Sequence, residues 1–249
     1  MRYFLELAFD GTDFHGWQRQ PNAPSVQQHL EEALTLLLGG SIEVVAAGRT
    51  DAGVHADQMF VHFDTDNTLD APDLIHRLNR FLPSAIAVYD IFAVNSEAHA
   101  RFDAISRSYC YRISTIKNPF TDRYAWQLYQ DLDVELMNQA AQLLLGTHDF
   151  QSFSKTHTDV KTFFCTITHV AFEKVDNEIL FNIRADRFLR NMVRAIVGTL
   201  VEVGANKRSL DSIPQLMASK SRAQAGVSVP AKGLSLTAVE YPELRLHAS

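Results

Sequence analysis

Ala47-Gly48-Arg49-Thr50-Asp51-Ala52-Gly53-Val54-His55-Ala56 sits between two apolar runs, Ile42 to Ala47 and Met59 to Phe63, each of which reads as a strand. The connection holds two glycines, an arginine and a carboxylate two residues apart, and a histidine. Glycine reaches turn geometries closed to other residues, so Gly48 and Gly53 predict a tightly held loop. A loop crowded with Arg, Asp and His on a rigid support is a usual seat of binding or catalysis. On spacing alone, an Arg-x-Asp between strands is more often a salt bridge within the loop.

Upstream, Tyr3, Leu5, Leu7 and Phe9 alternate, which predicts a strand over residues 2–9 with one buried face. A long polar loop from Gly11 to Pro24 follows. Ser25 then caps a helix, with Gln28 completing a capping box and Gly39-Gly40 ending it. The predicted strand at 42–48, the Asp51 loop and a strand near 58–65 come next. Pro72 opens a second helix, and Ile86 to Val94 is a fourth strand. The order β-α-β-β-α-β is the ferredoxin-like arrangement, which is also the shape of the RNA-recognition module that stacks bases on its open sheet.

The second half repeats that order once its extra pieces are set aside. Arg107 to Ile116 reads as a strand, with an added one at Tyr124 to Tyr129, and Val134 to Leu145 as a helix capped by Asp133. Phe163 to Lys174 and Glu178 to Ala185 form a predicted hairpin about Asp176-Asn177. An apolar helix from Phe188 to Val203, a shorter one from Leu210 to Ser219 and a closing strand from Leu234 to Tyr241 complete the chain. The expected fold is therefore α/β (α+β), with two β-α-β-β-α-β halves and mainly antiparallel sheets. Residues 1–104 form the half with the Asp51 loop, and residues 105–249 form the second half.

The 249 residues are 46% hydrophobic and 21% charged, the balance of a soluble globular protein. No run has the apolar length of a membrane span, and Arg2 and Glu6 interrupt any signal-like start, so no membrane association and a cytoplasmic location are expected. Cys110 and Cys165 then read as reduced thiols, and no Cys or His pair has zinc spacing. The net charge of −6 argues mildly against a nucleic-acid partner, although a local basic surface on an acidic protein still attracts phosphate.

Several stretches together carry a resemblance. Arg49-Thr50-Asp51-Ala52-Gly53-Val54-His55-Ala56 resembles the active-site signature of the TruA family of tRNA pseudouridine synthases, in which the Asp is catalytic. Gly11-Thr12-Asp13-Phe14-His15-Gly16-Trp17-Gln18-Arg19-Gln20 is similar to that family's first motif, although Phe14 and Trp17 also read as simple core anchors. Ala98-His99-Ala100-Arg101-Phe102 with Tyr109-Cys110-Tyr111 resembles its Phe-His-Ala-Arg…Tyr-x-Tyr pattern, with Ala98 departing from the usual aromatic. Gly146 to Phe153 matches another motif and reads as a structural turn without a catalytic role. Phe188-Leu189-Arg190-Asn191-Met192-Val193-Arg194 resembles Phe-Leu-x-x-Met-Val-Arg, and Pro230 to Leu236 the closing motif, with Val229 in place of an Ala. Lys161 and Cys165 stand where the family often has arginines.

The resemblance implies an isomerase that breaks the N-glycosidic bond of a tRNA uridine, turns the base and rejoins ribose C1′ to C5. No cofactor is implied. Asp51 is the expected nucleophile, Arg49 the plug for the space a flipped base leaves, and Arg194 the arginine that holds the carboxylate ionised and oriented. Tyr109 is the expected stacking platform. Gln18, Arg19, His55, Arg101 and Arg190 are further substrate-binding candidates. Arg187, Arg190, Asn191 and Arg194 are expected as one stripe on the helix from Phe188. The resemblance further implies an active-site cleft between two halves lying side by side, a homodimer, and uridines 38, 39 and 40 of the anticodon stem-loop as targets. Two other readings stand beside it: a non-catalytic RNA-binding module, and a metal hydrolase using Asp51, His55 and Asp57.

Overall fold

The computed structural model describes residues 1–155 and 160–243. The chain divides into two compact units, Met1–Ile105 with the segment from Leu236 onward, and Ser106–Ser235. Among the described residues there are five α-helices, and the strand pairing is mostly antiparallel.

In the first unit β1 (Arg2–Phe9) is the central strand. Tyr3, Leu5, Leu7 and Phe9 are buried, as the alternation predicts, but Phe4 on the other face is fully buried too. Tyr241 meets its ring edge-on at 5.4 Å, and Ala98 and Ala100 pack against it. Helix α1 (Val26–Leu38) starts at Ser25, whose hydroxyl accepts the Gln28 N–H at 3.3 Å, and ends at Gly39 with φ 72°. The return arm of the capping box is not made, because the Gln28 amide donates to Glu32 instead.

The strand predicted at 42–48 shrinks to β2 (Val45–Ala46). Side chains of α1 take the hydrogen bonds that a longer strand would have made. Thr35 Oγ1 accepts from Ile42 N, Glu31 Oε1 accepts from Val44 N, and Gln27 donates to the Val44 carbonyl. Strand β3 (His55–Asp64) pairs antiparallel with β1, placing Phe60 opposite Glu6. Helix α2 (Ala71–Phe81) is capped by Asp70, which accepts the Asp73 N–H at 3.1 Å, with Pro72 in its first turn. Strand β4 (Ile86–Val94) pairs antiparallel with the other edge of β1, and β2 pairs with β3. The order β4-β1-β3-β2 is that of the ferredoxin-like unit.

The second unit is built on β5 (Ser106–Ser114), with β6 (Trp126–Gln127) parallel beside it. Helix α3 (Val134–Gln142) is capped by Asp133, which accepts the Leu136 N–H at 2.9 Å. Gly146–Asp149, expected to be a turn, is strand β7, followed by a 3-10 turn at Gln151–Phe153. β8 (Phe164–Val175) and β9 (Glu178–Ala185) form the predicted hairpin, with Asp176 at φ 51°. The order is β5-β9-β8-β7. Helices α4 (Met192–Gly204) and α5 (Ser212–Ser219) follow, and β10 (Leu234–Glu240) closes the chain.

Helix α4 begins at Met192, later than the apolar pattern from Phe188 suggests. Asn191 is left-handed at φ 66° and Met192 N donates to Leu189 O, closing a turn that keeps residues 188–191 out of the helix. Arg187, Arg190 and Asn191 therefore share no helical stripe with Arg194. Both cysteines are free and buried, and burial pushes the Cys165 thiol up to about 12. Among the described residues no helix is long and apolar enough to cross a membrane.

Candidate active site

The Asp51 loop leaves β2 and enters β3 through a turn in which Val54 N donates to Asp51 O at 3.1 Å. Gly53 has φ 77° and stands third in that turn, where a type II geometry needs a positive φ. Gly48, by contrast, has no positive φ, and nothing stands within 4 Å of where its side chain would be. The tight hold on the loop comes instead from a segment far earlier in the chain, just after β1.

Residues Gly11 to Trp17 run along the whole Asp51 loop. Trp17 N donates to Thr50 O at 3.2 Å, and Gly53 N donates to Phe14 O at 3.3 Å. Gly16 has φ 89°, and a methyl group on it would lie 2.5 Å from Thr50 O and 3.1 Å from the Asp51 carbonyl carbon. One on Gly11 would lie 2.0 Å from Val54 O. Phe14 and Trp17 are buried, so they anchor this segment in the core, the simpler of the two readings of these aromatics. Asp51 is half-buried and Arg49 is exposed on the same loop.

His55, a candidate for substrate binding, is buried. Only 5% exposed, it accepts the Gly11 N–H at Nδ1, 3.1 Å away, and Asp10 Oδ1 lies 3.2 Å from the same nitrogen. A residue so covered supports the loop from behind and presents almost no surface to substrate. Arg19 is also engaged. Its guanidinium is 3.3 Å from the buried Glu31 and 3.8 Å from Glu32, which gives it a structural task besides any contact with phosphate. Gln18 is exposed.

Arg101 is presented by a braced turn. His99 Nδ1 accepts the N–H groups of Arg101 and Phe102, Asp103 accepts the His99 N–H at 2.7 Å, and the guanidinium stands 5.8 Å over the Phe102 ring. Beneath it, His62 Nδ1 accepts the Ala100 N–H at 3.1 Å. Burial holds His62 down to about 4, helped by the neighbouring Arg2 and His99.

In the second unit Tyr109 and Tyr111 alternate along β5 with different fates. Tyr111 is fully buried and donates its hydroxyl proton to Pro230 O at 2.8 Å; burial pushes its phenol far above the usual range. Tyr109 is half-buried, its ring met edge-on by Phe188 at 5.1 Å and 87°. Phe188, expected to open the helix that instead starts at Met192, braces the candidate stacking residue. Arg194, in the first turn of α4, donates from Nε to Val229 O at 2.8 Å and accepts the Val229 N–H on its own carbonyl. Asn191 and Arg222 both donate to Ser228 Oγ, so the segment carrying Val229 is fixed in turn. Arg190 is exposed in the turn before α4. Among the described residues no three His, Cys, Asp or Glu side chains are grouped so as to hold a metal ion.

The family model described as tRNA pseudouridine synthase matches residues 7–103 and 140–242. The chain belongs to this family. It is 51% identical over 245 residues to the tRNA pseudouridine synthase A of Bacteroides thetaiotaomicron, covering 97% of this chain and 91% of that protein. It is 49% identical to that of Porphyromonas gingivalis, over 97% of both chains. Identity to that of Halalkalibacterium halodurans is 44%, over 94% of this chain and 90% of the relative. A chain from a crystal structure of a Cbf5-Nop10-Gar1 complex aligns over 94% of this chain and 57% of its own at TM-score 0.37 and 10% identity, too loose a match to define a shared fold.

As a tRNA pseudouridine synthase the chain is an isomerase that converts uridine to pseudouridine, and the non-catalytic reading of its first sheet falls away. Chemically, the Asp51 loop offers a carboxylate on a backbone held at Thr50, Gly53 and Val54, with a guanidinium two residues away. Such preorganisation is what a reaction needs when one group must meet a reactive carbon and then let go. The clamping role of Gly11 and Gly16 was not apparent from sequence. Its signal was present in the pair of glycines within the first motif.

Proposed function

We propose that this synthase modifies uridines on the 3′ side of the tRNA anticodon stem-loop, at positions 38, 39 and 40, with Asp51 as nucleophile. In the reaction the C1′–N1 bond breaks, the freed uracil turns, and C1′ joins C5. The hydrogen on C5 leaves as a proton and N1 regains one, so the product is an isomer of the substrate. Tyr109 is the platform for the extruded base, Arg49 fills the space it leaves, and Arg194 is a positioning arginine of the reaction. The enzyme works as a homodimer in the cytoplasm.

The observation that carries this reading is the grip of Gly11 to Trp17 on the backbone of Thr50 to Val54, which presents Asp51 on a fixed loop in a chain of this family. The test is tritium release from tRNA labelled at uridine C5, joined to mapping of pseudouridine by carbodiimide adducts. Release together with adducts at 38, 39 or 40 is expected. Pseudouridine confined to another arm of the tRNA would overturn the assignment of the target. Sedimentation at assay concentration reports the dimer.

A further inference from the structure

His55 opens β3, immediately after the turn that carries Asp51. Its contacts make it the first link in a chain of backbone restraints. Nδ1 receives the Gly11 N–H, and Gly11 lies against the Val54 carbonyl with no room for a side chain. Gly11 O then accepts the Phe14 N–H at 3.1 Å, closing a turn, and Phe14 O accepts the Gly53 N–H. Trp17 N completes the path at Thr50 O. Each bond fixes the next, and the last two hold Thr50 and Gly53, which bracket Asp51 and Ala52.

Asp10 Oδ1, occupied by the Thr12 N–H and hydroxyl, lies 3.2 Å from Nδ1, so a carboxylate at position 55 would meet repulsion. An apolar residue would leave the buried Gly11 N–H without its acceptor, and unsatisfied buried donors are costly.

We propose that His55 is a positioning residue for catalysis, acting on Asp51 through Gly11 and the Phe14–Gly53 bond rather than through any contact with tRNA. This rests on the reading of Asp51 as the reacting carboxylate. That reading fails separately, by Asp51→Asn keeping its activity.

The test compares two polar replacements of similar size in the full chain. In His55→Asn the side-chain oxygen falls where Nδ1 was and accepts the Gly11 N–H. In His55→Gln the amide reaches the far side of the ring and cannot. Tritium release gives kcat and KM, anisotropy with labelled tRNA gives Kd, and a thermal melt gives the folded fraction. His55→Asn is expected to keep kcat within about threefold of wild type, and His55→Gln to lose about tenfold or more per folded molecule, with Kd unchanged in both. Equal kcat in the two variants would overturn the proposal. So would a weakened Kd with kcat intact, or a His55→Gln enzyme that is merely less stable and turns over normally when folded.

Discussion

Gly16 and Thr50 are in backbone contact: the Gly16 α-carbon, at φ 89°, faces a carbonyl where any side chain would go, and a methyl group there would lie 2.5 Å from Thr50 O. The Asp51 loop is thus shaped by a surface that only glycine can offer.

Gly16→Ala is accordingly expected to cost about 2 kcal/mol or more of stability, through strain and displacement of the loop, and to lower kcat per folded molecule at least about tenfold. Gly39→Ala is the control. Its φ is also positive, at 72°, but nothing lies within 4 Å, so it should lose stability and keep kcat. Denaturant melts with tritium release on both variants check this; equal kcat in the two would refute the clamp.

Tyr109→Leu should lower kcat more than it weakens tRNA binding, because stacking on one base is worth about 1–3 kcal/mol while phosphate contacts hold the rest of the RNA. Phe188→Ala should give a smaller loss in the same direction, since its ring braces Tyr109 edge-on. Wild-type turnover in Tyr109→Leu would make that tyrosine a sheet residue only.

Glu31 joins α1 to the segment before β2, accepting from Val44 N, Gln27 and Arg19 while almost covered. Glu31→Leu leaves the buried Val44 N–H without its acceptor, while Gln27 keeps the Val44 carbonyl and Arg19 keeps Glu32, and should cost about 1–3 kcal/mol. Glu31→Gln keeps an acceptor for Val44 and should cost less. Urea unfolding of the two variants measures the difference, and a Leu variant as stable as wild type would show that the network contributes nothing.

His62 sets a pH dependence of stability. Its ordinary value of 6.5 applies in the unfolded chain, and burial holds it to about 4 in the fold. Between those values the unfolded state binds a proton that the folded state does not, so stability is full above about pH 6.5 and falls as pH drops toward 4. The loss is on the order of 3 kcal/mol. Asp64, held below its ordinary range by Arg2, adds its own loss only at lower pH. His62→Asn keeps an acceptor for the Ala100 N–H and should flatten the pH 6.5 to 4 window in urea melts. An unchanged slope would assign the dependence elsewhere.

The features legible in the sequence were those decided by neighbours in the chain. Ser25 and Asp133 cap their helices through N–H groups three residues on, alternation marks the extent of β1, and β-branched residues mark that of β4. Features decided by distant partners were not legible. β2 is short because Thr35, Glu31 and Gln27 claim the backbone of Ile42 and Val44, and no local pattern reveals that competition. The start of α4 depends on one left-handed residue, Asn191, inside an apolar run that otherwise fits a helix. At the site, Asp51 and Arg49 stand on the predicted loop, but the burial of His55 and the engagement of Arg19 with Glu31 follow from packing across the first unit.

Asp51→Asn tests the central claim most directly. The substitution keeps the size of the side chain and most of its hydrogen bonding, and removes the charge and the nucleophile. The loop should survive, since Thr50, Gly53 and Val54 are held through their backbone. Measured with tRNA labelled at uridine C5, the variant is expected to release no detectable tritium at high enzyme concentration, while it binds tRNA at least as tightly as wild type and melts at a similar temperature. Tritium release within about tenfold of wild type would contradict the assignment of Asp51 as the catalytic carboxylate.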